Sequence, residues 1–182
     1  MKKLLLFVLV LALCFALPVF AQDDNKMESD AGMAMMPPPA IDNAFLKSYV
    51  GNWAGKIEGT MGTSEDKLSC QMGLGGQFLM MQVDSKSDMG SYAGMGAMTL
   101  GQDGKVKGYW IDNMRSMAEG TGMIEGNKLT ITWKTDMWTY TRTEEKIDDN
   151  TLAITGKMVM GDGTVSEEKG TYKRTEAMTD KM

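Results

Sequence analysis

Six residues in the second half of the chain have side chains suited to holding a small molecule. These candidate ligand-binding residues are Trp110, Asp112, Trp133, Trp138, Tyr140 and Arg142. Aromatic rings offer large flat apolar surfaces, and their polar tips can orient a ligand. Alternate residues of a strand point to the same face, so Trp138, Tyr140 and Arg142 share one face. The alternative is that the rings simply fill the core of the protein.

Arg142 is the most informative of the six residues. Asp112 shares a strand face with Trp110, just as Arg142 does with its aromatic neighbours. If both faces point inward, Arg142 is expected to pair with Asp112, because a lone buried charge is too costly. Such an arginine could receive the carboxylate of a ligand. A slip of one residue in register would instead turn both side chains toward solvent.

The chain contains no histidine. This excludes Ser-His-Asp and Cys-His catalysis and also zinc or haem held by histidine. Adjacent carboxylates occur at Glu144-Glu145, Asp148-Asp149 and Glu167-Glu168. Neighbours in a strand point to opposite faces, so these pairs predict solvated surface rather than catalytic dyads. We therefore predict that the protein is not an enzyme and carries no cofactor.

The 20 methionines raise a copper hypothesis, because thioether ligands suit Cu(I). Met33, Met35 and Met36 are clustered, and Met158 and Met160 share a strand face. The other methionines are spread along the chain in place of other core residues, with neither histidine nor paired cysteines to support a metal site. Copper binding is therefore a less favoured alternative, and we assign no metal-ligating residue.

The first 21 residues have the layout of a secretory signal peptide. Lys2 and Lys3 precede an apolar run from Leu4 to Leu17, and small or tolerated residues end at Ala21. The apolar run is short for a membrane span. We expect cleavage after Ala21, export to the periplasm or beyond the cell, and no membrane-embedded segment in the mature protein. Residues 22–40, rich in methionine and proline, are predicted to form a disordered linker.

The charge of the mature chain disfavours nucleic acid as a partner. The 19 basic and 24 acidic residues of the full chain become 17 and 24 once Lys2 and Lys3 are removed, a formal net charge of −7. An acidic surface repels phosphate backbones. Loss of Cys14 leaves Cys70 without an internal disulfide partner, and its apolar strand face predicts a small buried side chain. The sequence leaves the oligomeric state open.

The remaining pattern predicts an all-β domain over residues 41–176, followed by a short tail at 177–182. One short helix is expected from Ile41 to Val50, with Asp42 as its cap. About ten strands follow, each alternating with period two and separated by turn residues. Such a succession of strands removes its exposed edges by closing into an antiparallel barrel. Glycines within the strands are expected to leave space inside it.

The chain resembles lipocalin-like barrels and, more closely, a bacterial family known as domain of unknown function 1579. Gly51-Asn52-Trp53 is similar to the Gly-x-Trp opening of such barrels, and Arg174 lies where they often pack a basic side chain over that tryptophan. The family resemblance is carried by Leu46 to Gly55, Cys70 to Leu79 and Tyr109 to Asp112, and it covers roughly residues 41–175.

This resemblance implies a lipocalin-like barrel, often exported, and implies no particular activity. Related barrels of the nitrobindin type bind haem through a histidine, so that role does not extend to this chain. The residues themselves favour binding of a small hydrophobic or amphipathic molecule inside the barrel. The alternative is a structural or protein-interaction module whose core is filled.

Overall fold

The computed structural model describes residues 37–101 and 103–176, which form ten strands and one short α-helix. The predicted signal peptide, most of the predicted linker and the predicted tail lie outside the described residues. Helix α1 spans Ala44–Tyr49. The strands are β1 Gly51–Gly59, β2 Gly62–Gly73, β3 Phe78–Ser87, β4 Gly90–Leu100, β5 Lys105–Asp112, β6 Met117–Glu125, β7 Lys128–Lys134, β8 Trp138–Asp148, β9 Thr151–Met160 and β10 Val165–Thr175.

The strands form a closed antiparallel barrel in simple up-and-down order. Each strand pairs with the next one along the chain, and β10 returns to pair with β1. In that closing pair, Trp53 lies opposite Arg174, and Gly59 lies opposite Glu168. Closure gives every strand two neighbours, so no edge is left unpaired. The predicted antiparallel barrel of about ten strands with one short helix is confirmed.

Alternation along the strands separates the interior of the barrel from solvent. In β7, Leu129, Ile131 and Trp133 are buried, whereas Lys134 is exposed. Cys70 is buried on the inner face of β2, as its apolar neighbours predicted, and burial raises the pKa of its thiol. The period-two pattern therefore identifies which residues can reach the lumen.

Helix α1 is shorter than the sequence predicted, and its cap is a different residue. The Asn43 side chain accepts a hydrogen bond from the Leu46 N–H at 3.0 Å. Asp42 instead forms an exposed ion pair with Lys47 at 2.7 Å. The prediction of Asp42 as the cap was wrong, because the helix begins at Ala44 and the capping position is the residue directly before it.

Helix α1 closes the end of the barrel at which β1 begins. Its Leu46 and Tyr49 side chains are buried together with Trp53, whose Nε1 donates to the Tyr49 carbonyl at 2.9 Å. The Arg174 guanidinium lies 4.2 Å from the centre of the Trp53 ring, where the Gly-x-Trp resemblance placed it. This cation–π contact and the buried helix face seal one end of the lumen.

Neither α1 nor any other helical stretch in residues 37–101 and 103–176 has the length and apolarity needed to cross a bilayer.

Candidate functional site

The lumen above α1 contains a cavity of about 670 Å³. This volume lies within the roughly 300–1,000 Å³ typical of small-molecule sites. All six candidate residues line the cavity: Trp110, Asp112, Trp133, Trp138, Tyr140 and Arg142. A depression of similar volume lies on the outer wall near Thr141 and Lys157. The lumen is the better candidate site, because it is more enclosed and its wall is mainly apolar.

Two tryptophans lie flat against glycine-rich parts of the wall. A Cβ atom at Gly96 would be 2.5 Å from the Trp110 ring, and one at Gly120 would be 2.5 Å from the Trp133 ring. The two ring centres are 6.0 Å apart, with a 58° angle between the planes. Because glycine lets each ring approach the backbone closely, the rings cover the wall and leave the lumen open.

Arg142 is held by groups other than the one predicted. Its Nε donates to Glu144 at 2.6 Å, its Nη1 donates to Tyr140 at 3.3 Å, and its Nη2 donates to Tyr172 at 3.2 Å. Nη1 also lies 3.5 Å from a carboxylate oxygen of Glu168. The structure therefore pairs Arg142 with Glu144 and Glu168 instead of Asp112. All three guanidinium nitrogens already have partners.

The prediction that Glu144 and Glu168 belong to the solvated surface was wrong. Glu144 is 6% exposed, and Glu168 accepts a short hydrogen bond from the Tyr140 hydroxyl. In these two adjacent carboxylate pairs, alternation sends one member outward and the other into the lumen, whereas Asp148 and Asp149 are both exposed, as predicted. Strand parity was the signal that could have identified them, because Glu144 shares a face with Arg142.

Asp66 is a further cavity residue that sequence reasoning missed. Its carboxylate accepts hydrogen bonds from Ser64 at 2.8 Å, Ser85 at 2.6 Å and Tyr172 at 2.7 Å. Through Tyr172 it joins the hydrogen-bond network of Arg142. Asp66 is two residues from Leu68 in β2, and both side chains lie on the inner face of that strand. This spacing could have predicted from the sequence that Asp66 points inward.

Asp112 lies at the end of β5, beside the loop that leads to β6. Its Oδ1 accepts from the backbone N–H groups of Met114 at 2.9 Å and Ser116 at 3.0 Å. Its Oδ2 has only a long contact of 3.5 Å with the Tyr92 hydroxyl. That hydroxyl accepts from Trp110 Nε1 at 2.7 Å. Asp112 is thus fixed through one oxygen, and its other oxygen is weakly engaged.

Burial shifts the titration of the cavity tyrosines and of Arg142. Desolvation raises the pKa of Tyr92 to about 12 and raises those of Tyr140 and Tyr172 as well. Burial by itself lowers the pKa of a guanidinium. For Arg142 the surrounding acidic groups, first Tyr140 and Tyr172, outweigh burial and hold its pKa well above the usual value. Arg142 therefore stays charged inside the barrel.

The floor of the cavity carries a hydroxyl group without a hydrogen-bond partner. Tyr49 lines the cavity from α1 and is 1% exposed, and its Oη has no partner within residues 37–101 and 103–176. Burial raises its pKa well above the usual value, and the nearby Glu144 adds to this effect. An unsatisfied buried hydroxyl costs about 1–3 kcal/mol.

Methionines surround the open end of the cavity. Met61, Met114 and Met137 lie in three hairpin connections at this end, and Met160 ends β9 beside a fourth. Their side chains are between 39% and 73% exposed. Met158 and Met160 both line the lumen, as their shared face predicted. The mouth is therefore apolar and polarisable. Met33, Met35 and Met36 lie outside the described residues.

Fold and cavity together define a closed antiparallel β-barrel whose lumen can admit a small molecule. The chain belongs to the family described as protein of unknown function (DUF1579), whose model matches residues 39–174. The resemblance carried by the Gly-x-Trp opening and the glycine-rich stretch after Cys70 is thereby confirmed.

Several solved barrels are similar to this one. The S-type phycobiliprotein lyase CPES from Guillardia theta is 10% identical, with a TM-score of 0.59 over 73% of this chain and 92% of that chain. The fluorescent protein UnaG is 17% identical (TM-score 0.46; 71% and 98% covered). A redesigned barrel, mFAP1, bound to DFHBI is 14% identical (TM-score 0.44; 72% and 100% covered). At these identities the likeness shows the fold alone. No curated protein matches the chain at a significant level.

Proposed function

We propose that this protein binds a small hydrophobic or amphipathic molecule inside its barrel. The observation that carries the proposal is the cavity of about 670 Å³, lined by all six candidate residues. A filled-core interaction module would instead pack Trp110 and Trp133 against opposing side chains. Their close approach to glycines Gly96 and Gly120 leaves the lumen open. We infer binding rather than catalysis, because Arg142 and its carboxylate partners are committed to one another.

Uptake of the neutral apolar dye Nile red tests this proposal. Trp133→Ala removes a ring that lies in the wall of the cavity, and we expect dye affinity to fall at least about tenfold, the effect of losing one large aromatic contact. Tyr109→Ala is the matched control, because Tyr109 is an aromatic residue with a 64% exposed side chain. Its dye affinity should equal that of the parent protein.

Thermal unfolding of the same variants separates binding from packing. Trp133 is only 7% exposed, so some loss of stability accompanies its truncation. Trp138→Ala provides a second test, because Trp138 is only half-buried and its loss should disturb the core less. If neither variant changes dye affinity and Trp133→Ala mainly lowers the melting temperature, the filled-core alternative is favoured.

Copper binding is the second candidate, favoured by the methionines at the mouth. Replacing Met61, Met114, Met137 and Met160 together by leucine preserves apolarity and removes every thioether among them. We expect Nile red uptake to persist in this variant. A Cu(I) titration against a competing chelator should show no site in either protein. A site present in the parent and absent from the leucine variant would establish the copper alternative.

We also propose that the protein is exported. The support is the basic start, the apolar run and the small residue at Ala21 in the sequence. Intact mass measurement of the protein recovered from an expressing bacterium should show a chain that begins at Gln22. A chain that retains residues 1–21 would contradict cleavage, and a cytoplasmic location after fractionation would contradict export.

A further inference from the structure

The charges inside the cavity are unequal. Among the residues that the structure describes, four carboxyl groups and one guanidinium line it: Asp66, Asp112, Glu144 and Glu168 against Arg142. With formal charges, three more acidic than basic groups face the same enclosed space. Low-dielectric walls around charges of one sign concentrate their field. The potential within the lumen therefore favours a positive charge.

The arginine does not offer a place for an anion. Its three nitrogens already contact Glu144, Glu168, Tyr140 and Tyr172. These contacts leave at most one N–H, on Nη2, so a ligand carboxylate could not bind the guanidinium through two hydrogen bonds without displacing a partner, and it would meet the surplus negative charge. The expectation that Arg142 receives a ligand carboxylate therefore finds no support in the geometry.

We propose that the ligand is an amphipathic organic cation, with an apolar body and a protonated amine or quaternary ammonium group. This inference rests on the proposed binding function and specifies the chemistry of that site. The positive group lies against Asp112 Oδ2, whose hydrogen bond from the Tyr92 hydroxyl is long, at 3.5 Å. Trp110 shares a face with Asp112 and offers its ring for a cation–π contact.

The floor of the cavity limits how deeply the ligand can enter. Tyr49 of α1 lines this floor, and its side chain is only 1% exposed. The apolar body would then lie between the floor and Asp112, along the surfaces of Trp110 and Trp133.

Three ligands with the same chain test the sign of the charge: decyltrimethylammonium, decyl sulfate and decanol. Each is titrated below its micelle concentration into the protein as purified from cells, with displacement of Nile red as the readout. We expect the cation to bind at least about tenfold more tightly than the sulfate, with decanol between them. Equal or tighter binding of the sulfate would overturn the inference.

The two proposals fail in different ways. If decanol and Nile red bind but the cation has no advantage, binding in the barrel stands and the cationic ligand is wrong. If none of the three ligands and no dye binds, the proposed function itself fails. A preference for the cation could also come from the overall negative charge of the protein. In that case, removing a carboxylate from the outer surface would weaken cation binding as much as removing one from the cavity.

Asp112→Asn locates the effect within the cavity. Asparagine can still accept from the Met114 and Ser116 N–H groups, so the loop retains its anchor. We expect affinity for decyltrimethylammonium to fall about fivefold or more while decanol affinity is unchanged. Glu119→Gln is the matched control, because it removes the same charge from the exposed outer face of β6. An equal loss in both variants would assign the preference to overall charge and overturn the site.

Discussion

At the scale of single residues, Arg142 organises the polar side of the lumen. It contacts two carboxylates and two tyrosine hydroxyls and lies 5.6 Å from the centre of the Tyr172 ring. Buried ion pairs add little net stability, since desolvation offsets their attraction. Their loss is nevertheless costly when one partner remains behind. Arg142 therefore offsets the free-energy cost of placing the carboxylates of Glu144 and Glu168 inside the barrel.

Arg142→Met is expected to lower the free energy of unfolding by about 3–5 kcal/mol, because Glu144 is left buried without its counter-charge. Chemical denaturation measures this change. The double variant Arg142→Met/Glu144→Gln should regain part of the loss, since it removes the unpaired charge as well. A single variant as stable as the parent protein would contradict the assigned pairing.

At the scale of elements, the strands supply two kinds of inner surface. Stretches with glycine at alternate positions, such as Gly94 and Gly96 in β4, accept an indole ring from the neighbouring strand. Other stretches, such as Leu129 and Ile131 in β7, fill the interior with aliphatic side chains. The open part of the lumen is therefore determined by where glycines and tryptophans meet across adjacent strands.

Gly120→Ala tests this arrangement in β6. The new Cβ would lie 2.5 Å from the Trp133 ring, so the ring must move into the lumen. We expect a several-fold loss of Nile red affinity and a stability loss of roughly 1–3 kcal/mol, the usual cost of overpacking. Glu119→Ala, the adjacent outward-facing position, should change neither. Unchanged dye binding by Gly120→Ala would mean that the ring does not border the binding space.

At the scale of the whole molecule, closure of the barrel buries Tyr49 and Tyr172 and half-buries Tyr92 and Tyr140, and the pKa values of all four are raised. Each stays protonated in the folded barrel at pH values where the unfolded chain has already ionised. Above the unfolded pKa of 10.0, the unfolded state therefore binds fewer protons than the folded state. The contribution of these tyrosines to the free energy of unfolding is fully present below that pH and is lost as the pH rises.

We expect the free energy of unfolding to fall between about pH 10 and 12, the interval over which Tyr92 and the unfolded chain differ in ionisation. Denaturation at a series of pH values measures this slope. Tyr92→Phe removes one of the four groups and should make the slope shallower. Constant stability across this interval, with ionisation of all the tyrosines near pH 10, would contradict their burial.

The amino-acid sequence by itself determined the strands and their inner faces. Period-two alternation reflects the geometry of a single strand, so it placed Trp133 on the apolar face of its strand without knowledge of any partner. It put Arg142 on one face with Trp138 and Tyr140 but left open whether that face points inward. It also predicted barrel closure, because ten consecutive strands must remove their edges. The contact of Arg174 with Trp53 followed from a resemblance to known barrels rather than from that pattern.

Only the tertiary structure decided which inward residues meet. Asp112 in β5 and Arg142 in β8 are separated by β6 and β7, whereas Glu144 lies two residues from Arg142 on the same face. Closure brings Asp66 in β2 to Tyr172 in β10 across β1. Such contacts depend on strand order and register around the barrel. Alternation along one strand carries no information about them, and so the surplus of acidic groups in the lumen emerged only from the fold.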